Sequence, residues 1–214
     1  RPMSNRAIQG EYPPGSTYKI ITALAGLQEG VVDDKSVLHC PGYYRFGNRV
    51  YRCWKRGGHG KVDIVKAVEE SCDVFFYQVG QRLGVDRLAW YAKAIGLGSP
   101  TGVQLDHEAN GLIPTAAWKK RRTGVPWQEG ETLSIAIGQG FNLATPIQRA
   151  VLAAAVANGG HRYRPLILDN IKLVDGQVLQ KNEPKLIGKL PVSPAHLELI
   201  KLGLWKVVNS ENGT

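Results

Sequence analysis

Ser16 and Lys19 stand three residues apart in Pro13-Pro14-Gly15-Ser16-Thr17-Tyr18-Lys19, at a point where a helix should begin. Two prolines cannot enter a helix interior, and Ile20 to Leu27 reads as an uninterrupted apolar helix, so Ser16 falls at or near its N-terminus. Residues three apart share a helix face, which lets the Lys19 amine reach the Ser16 hydroxyl. A lysine desolvated in a cleft, or set beside other cations, gives up its proton more readily and can act as a base toward serine. Amide N–H groups of the first turn would then help hold negative charge on a carbonyl oxygen under attack. The chemistry this pair suits is that of a serine acyl-enzyme.

The elements that must position the pair are mostly helical. Helical spacing or length, with plausible breakers, predicts helices over Ile20 to Leu27, Ile64 to Gly80, Asp86 to Ile95, Thr145 to Ala157 and Pro194 to Val207. Ile167 to Leu173 and Gln177 to Gln180, turned by Asp175-Gly176, predict a small hairpin. No internal repeat or low-complexity linker divides the 214 residues, and 43% hydrophobic content suffices for one sizeable core. One compact unit is expected, with exposed apolar edges that suit dimerisation or strand exchange. No apolar run is long enough for a membrane span, and no signal peptide is visible.

A second constellation involves sulfur. Cys40, Cys53 and Cys72 leave one thiol over in any single-chain disulfide scheme. With His59 they form a Cys3His set that tetrahedral Zn2+ accepts, and Gly57, Gly58 and Gly60 would let the loop fold back toward the others. His39 or Asp73 could replace one ligand, and a Cys40–Cys53 disulfide is the alternative in an oxidising envelope. All four donors would be protein side chains, which points to a structural metal. The formal charge of +9 invites a nucleic-acid reading. However, Lys119-Lys120-Arg121-Arg122 is the one dense run, it reads as a solvated loop, and no nucleic-acid module accompanies it. No nucleic-acid partner is expected, and anionic phospholipid or a pyrophosphate-linked glycan precursor suits the field equally well.

The run from Asn5 to Tyr12 followed by the Ser16–Lys19 segment closely resembles the active-site entry of class B penicillin-binding proteins, the peptidoglycan DD-transpeptidases. Ser71-Cys72-Asp73 stands where that family has Ser-x-Asn, and its aspartate is similar to the variant in penicillin-binding protein 2-like elongation enzymes. Thr101 to Leu105, Glu108 to Pro114, Ser134 to Gly140, Thr145 to Gln148 and Ala157 to Gly160 resemble further family landmarks in order and spacing.

The resemblance implies a transpeptidase or serine β-lactamase-like α/β fold, present here as a mostly helical subdomain with a small β-hairpin and without most of the central sheet. It implies Ser16 as nucleophile, Lys19 as general base, Ser71 as proton relay to the leaving amine, and Asp73 as an anchor of that network or a contact for the donor peptide. The same likeness implies stem peptides ending in D-Ala-D-Ala and β-lactams as ligands, with a glycan-polymerising membrane protein and elongation factors as partners. The parent protein is then expected to be anchored at the periplasmic face of the bacterial inner membrane. Some similar proteins carry zinc beside the second motif, which implies Cys40, Cys53, His59 and Cys72 as its ligands and a brace for Ser71 and Asp73. No Lys-Thr-Gly or Lys-Ser-Gly follows Ser71, so residues 1–214 are expected to be one partial domain cut before that strand, inactive or impaired alone. A β-lactamase or carboxypeptidase would share Ser16 and Lys19 but need a water-activating group. A non-catalytic, zinc-stabilised envelope module is the remaining alternative.

Overall fold

The computed structural model describes residues 4–214. A short helix α1 (Arg6–Gln9) leads to a single 3-10 turn (Gly15–Tyr18), which runs directly into α2 (Lys19–Gln28). Strands β1 (Leu38–Cys40), β2 (Tyr43–Phe46), β3 (Arg49–Arg52) and β4 (Gly60–Val62) follow. Then come α3 (Ile64–Glu69), α4 (Asp73–Leu83), α5 (Val85–Ile95), α6 (Ala116–Thr123), α7 (Glu129–Ala136) and α8 (Pro146–Ala157). The remainder comprises β5 (His161–Tyr163), β6 (Asn170–Lys172), β7 (Val178–Lys181), β8 (Leu186–Lys189) and α9 (Pro194–Asn209).

α2 is the axis of the core. Ile21, Thr22, Ala23, Leu24, Ala25 and Leu27 are all buried, because α4, α5 and α9 cover it on several sides and leave no face for polar residues. α4 and α7 cross where Gly80 meets Ala136: a Cβ on Gly80 would lie 2.2 Å from that of Ala136. The Ala136 carbonyl in turn accepts a 2.7 Å hydrogen bond from Thr22, tying α7 to α2. Gly203 lets α9 lie close to Val68 on α3, where an added Cβ would stand 2.8 Å from that of Val68.

The predicted helices at Ile20 to Leu27, Asp86 to Ile95, Thr145 to Ala157 and Pro194 to Val207 form close to their expected bounds. Ile64 to Gly80 does not form one helix. It breaks between Glu69 and Asp73, where Ser71 adopts φ 49°, a left-handed conformation uncommon outside glycine. The basic run 119–122 also differs from expectation. It lies on α6, with Thr115 capping the first turn, and Lys119 is buried against Glu131 at 2.6 Å. The strands form four antiparallel two-stranded ribbons, β1–β4, β2–β3, β5–β8 and β6–β7, where one hairpin was expected. The helical character and small strand content match the transpeptidase-like subdomain. No helix among the described residues is long and apolar enough to cross a membrane.

Candidate active site and adjoining thiol cluster

Three consecutive residues at the helix break face three ways. The left-handed turn at Ser71 directs its hydroxyl toward Ser16, with Ser71 Oγ donating to Ser16 Oγ at 3.1 Å. The next residue, Cys72, is fully buried in the cluster of thiols, and Asp73 opens α4, where the helix dipole favours a carboxylate. Lys19 Nζ donates to the Ser71 carbonyl at 2.8 Å, to Ser71 Oγ at 2.9 Å and to Asp73 Oδ1 at 2.6 Å. The lysine is 4% exposed and also lies 5.7 Å from the Phe76 ring centroid.

The structure thus joins Ser16, Lys19, Ser71 and Asp73 into one network, with a difference from the sequence expectation. The hydrogen bonds of Lys19 go to Ser71 and Asp73, and Ser71 Oγ stands between the amine and Ser16 Oγ. The Asp73 carboxylate draws the lysine away from its own helix neighbour, since a charge-assisted bond is roughly twice as strong as a neutral one. Ser16 itself is exposed on the 3-10 turn. That turn is held by Gly15 N–H donating to the Gly138 carbonyl at 2.9 Å; a Cβ on Gly138 would lie 2.2 Å from the Gly15 carbonyl oxygen, and Gly15 itself takes φ 58°, in the left-handed region. In front of Ser16 a cavity of about 250 Å³ is lined by Lys19, Ile20, Ser71, Leu204, Val207 and Thr214, among others.

Trp54, which the sequence did not flag, completes the network. Its backbone N–H donates to Asp73 Oδ2 at 3.0 Å, and its indole N–H donates to the carbonyls of Glu70 and Ser71 at 3.0 and 3.1 Å. A role carried by a backbone N–H leaves no trace in residue type. Glu70 was missed likewise: buried beneath the loop, it faces Lys55, Lys66 and His59.

The loop that carries Trp54 also carries the thiols. Ligand atoms of Cys40, Cys53, His59 and Cys72 lie within 4.8 Å of one another, and all four residues are buried. Pairing of β1 with β4 sets Cys40 opposite Gly60, and His59 N–H donates to the Cys40 carbonyl. Gly58 (φ 76°) packs against the Cys40 carbonyl and Gly42 (φ 93°) against that of Arg56, contacts that no Cβ would allow. Of the glycines expected to fold this loop back, Gly58 and Gly60 adopt positive φ and Gly57 does not.

His59 Nδ1 lies 3.5 Å from both Cys40 Sγ and Cys53 Sγ, while Nε2 is buried without a hydrogen bond, 3.7 Å from Glu70. The three cysteines are free thiols. Contact with Cys72 lowers the Cys53 thiol pKa below its ordinary range, and the same contact, with burial, pushes Cys72 up. A sulfur-rich donor set with one imidazole nitrogen aimed into it and a carboxylate behind the ring fits a structural Zn2+. His39 is exposed on β1, and Asp73 is committed to Lys19 and Trp54, so neither joins the set.

A family model described as penicillin binding protein transpeptidase domain matches residues 1–214. The peptidoglycan D,D-transpeptidase MrdA of Haemophilus influenzae is 40% identical over 218 residues, an alignment that covers all of this chain and 33% of that protein. A solved complex of penicillin-binding protein 2 with MreC from Helicobacter pylori superposes with a TM-score of 0.85 at 31% identity, over 99% of this chain and 38% of that one. A peptidoglycan synthase complex described as coordinating polymerization and crosslinking gives a TM-score of 0.85 at 39% identity, over 96% and 34%. The chain spans about a third of the length of the curated relatives it matches.

Proposed function

Because the chain belongs to the penicillin-binding protein transpeptidase family, with penicillin-binding protein 2-like enzymes as relatives, we propose that it carries the nucleophile and proton-handling half of a peptidoglycan D,D-transpeptidase. The observation that carries this reading is the hydrogen-bonded series Ser16 Oγ, Ser71 Oγ, Lys19 Nζ, Asp73. Ser16 Oγ attacks the carbonyl between two D-alanines, and its proton passes by way of Ser71 to the amine of Lys19 in its neutral form. Returned through Ser71, that proton leaves on the nitrogen of the departing D-alanine. The amine of a second stem peptide then attacks the Ser16 ester, forms the cross-link amide and restores the hydroxyl. A β-lactam acylates the same oxygen by opening its ring amide. In these enzymes a Lys-Thr-Gly strand holds the substrate carboxylate, and this sequence contains no such triad after Ser71.

The lining of the Ser16 cavity favours transfer over hydrolysis. None of its residues is an aspartate or glutamate, and the two oxygens of the nearby Asp73 already accept hydrogen bonds from Lys19 Nζ and Trp54 N–H. A β-lactamase needs a free base for water there. In the full-length protein that contains this sequence, a labelled penicillin is expected to form a stable adduct on Ser16 that Ser16→Ala abolishes with the fold intact. Labelling that persists in Ser16→Ala would reject the nucleophile, and rapid turnover of the adduct would favour the hydrolase.

Cys40, Cys53, His59 and Cys72 would hold a structural Zn2+, which when bound would supply a cross-link between the loop and the helix break before α4. Cys72 then ties that junction to Ser71 and Asp73, and the peptide from Cys53 to Trp54 ties it to Asp73 a second time. Native mass spectrometry is expected to find one zinc that denaturation or a chelator releases, with a fall in thermal stability. A metal-free mass two hydrogens light would instead establish the Cys40–Cys53 disulfide. The elongation partners and envelope location expected of such enzymes belong to this same reading.

A further inference from the structure

Between Asp34 and Asp63 the chain carries seven lysines and arginines and no acidic residue. The β2–β3 hairpin gathers part of that charge on one side. Its register pairs Tyr43 with Arg52 and Arg45 with Val50, so these four side chains share the outer face. The opposite face carries Tyr44 and Tyr51, which anchor the ribbon: the Tyr44 hydroxyl bonds Gln81 on α4, and the Tyr51 hydroxyl donates to the Gly130 carbonyl on α7 at 3.1 Å. Arg56 joins the outer face from the following loop, where its carbonyl packs on Gly42. Together with Gly42 and Cys53, the exposed side chains of Tyr43, Arg45, Val50, Arg52 and Arg56 line an open cleft of about 330 Å³.

Like Arg121 and Arg122 on α6, the three guanidiniums are unpaired among the described residues, but they line one cavity. Lys19, Lys55, Lys66, Arg87 and Lys119 each lie against a carboxylate, whereas among the described residues Arg45, Arg52 and Arg56 form no ion pair and no side-chain hydrogen bond inside the protein. Arg45 instead lies over the Tyr43 ring, 5.7 Å from its centroid, which leaves its N–H fork free. A guanidinium stays charged throughout the physiological range, so three of them around one cavity repel each other until an anion enters. The planar fork matches the two oxygens of a carboxylate or phosphate.

We propose that this cavity is a binding site for a small oxyanion ligand, carboxylate or phosphate, seated among Arg45, Arg52 and Arg56 with Tyr43 and Val50 along its apolar side. It lies outside the Ser16 cavity and shares no lining residue with it. The site therefore does not depend on the acyl-transfer reading. Both carboxylates of a peptide strand and phosphates of a lipid-linked glycan carry the required chemistry, and two probes distinguish them.

Calorimetric titrations would compare inorganic pyrophosphate with a soluble pentapeptide ending in D-Ala-D-Ala, for the unmodified protein and for a triple variant, R45Q/R52Q/R56Q. A second variant, K120Q/R121Q/R122Q, removes equal charge from exposed positions on α6. We expect 1:1 binding of at least one probe, weakened at least about tenfold in the hairpin variant and less than about twofold in the α6 variant. Tighter binding of pyrophosphate assigns a phosphate ligand, and tighter binding of the peptide a carboxylate. Absence of binding by both probes, or equal losses in the two variants, overturns the site in favour of a diffuse positive field. Single Arg→Gln variants, each checked for an unchanged unfolding temperature, serve if the triple variant folds poorly.

Discussion

At Ser71 a single backbone angle aims three groups. The φ of 49° turns its hydroxyl to Ser16, its carbonyl to Lys19 and Trp54, and the next side chain into the thiol cluster. A left-handed residue with a Cβ is strained by about 1–2 kcal/mol relative to glycine. Ser71→Gly is therefore expected to be about 1 kcal/mol more stable than Ser71→Ala in denaturant unfolding, while both variants lose about 100-fold or more in the rate of penicillin labelling. Equal stability of the two would show that the turn is unstrained, and wild-type labelling by either would remove Ser71 from the proton path. The opposition explains a serine where the backbone alone would favour glycine.

Among the elements, the junction of α4 with α7 controls how the network is held. Gly80 has no space for a methyl group against Ala136, whose carbonyl holds Thr22 one turn beyond Lys19. Gly80→Ala is expected to cost about 1–3 kcal/mol by overpacking and to slow labelling of Ser16 although it touches neither residue. A variant as stable as wild type by thermal unfolding would show that α7 moves aside freely. The long helices were legible because periodicity and breakers are local: Pro146 and Pro194 each follow a capping hydroxyl residue at the first helical position. The break at Ser71 was not, because it is imposed from outside, by the contacts of Ser16, Lys19 and Trp54 with the turn. α6 was misread for a related reason, since its charge suggested solvent while Lys119 finds Glu131 on another helix. That Ser16 belongs with Lys19, and Cys40, Cys53 and Cys72 with His59, could be read from residue type and spacing, whereas Trp54 and the hairpin arginines acquire their meaning from register and folding back.

For the molecule as a whole, burial of phenols sets an alkaline limit. Tyr18 and Tyr77 are raised well above the usual tyrosine range chiefly by desolvation, and Tyr91 is raised by burial and then by its bond to Glu29. Above about pH 10 the unfolded chain releases these protons and the folded chain keeps them, so the unfolded state binds fewer protons and stability falls as pH rises. Tyr18→Phe is expected to flatten part of that fall in unfolding midpoints measured between pH 8 and about 11. An unchanged slope would mean that Tyr18 ionises as freely in the fold as outside it. The wall of the Ser16 cavity carries a consequence for time. Leu204, Val207 and Thr214 line the pocket in front of Ser16, and Thr214 Oγ1 donates to the Glu69 carbonyl across 145 positions. In the order of synthesis the serine therefore precedes the wall beside it. An exposed hydroxyl without its pocket is an ordinary serine, so a growing chain in which Ser16 has been made and that wall has not stays chemically silent.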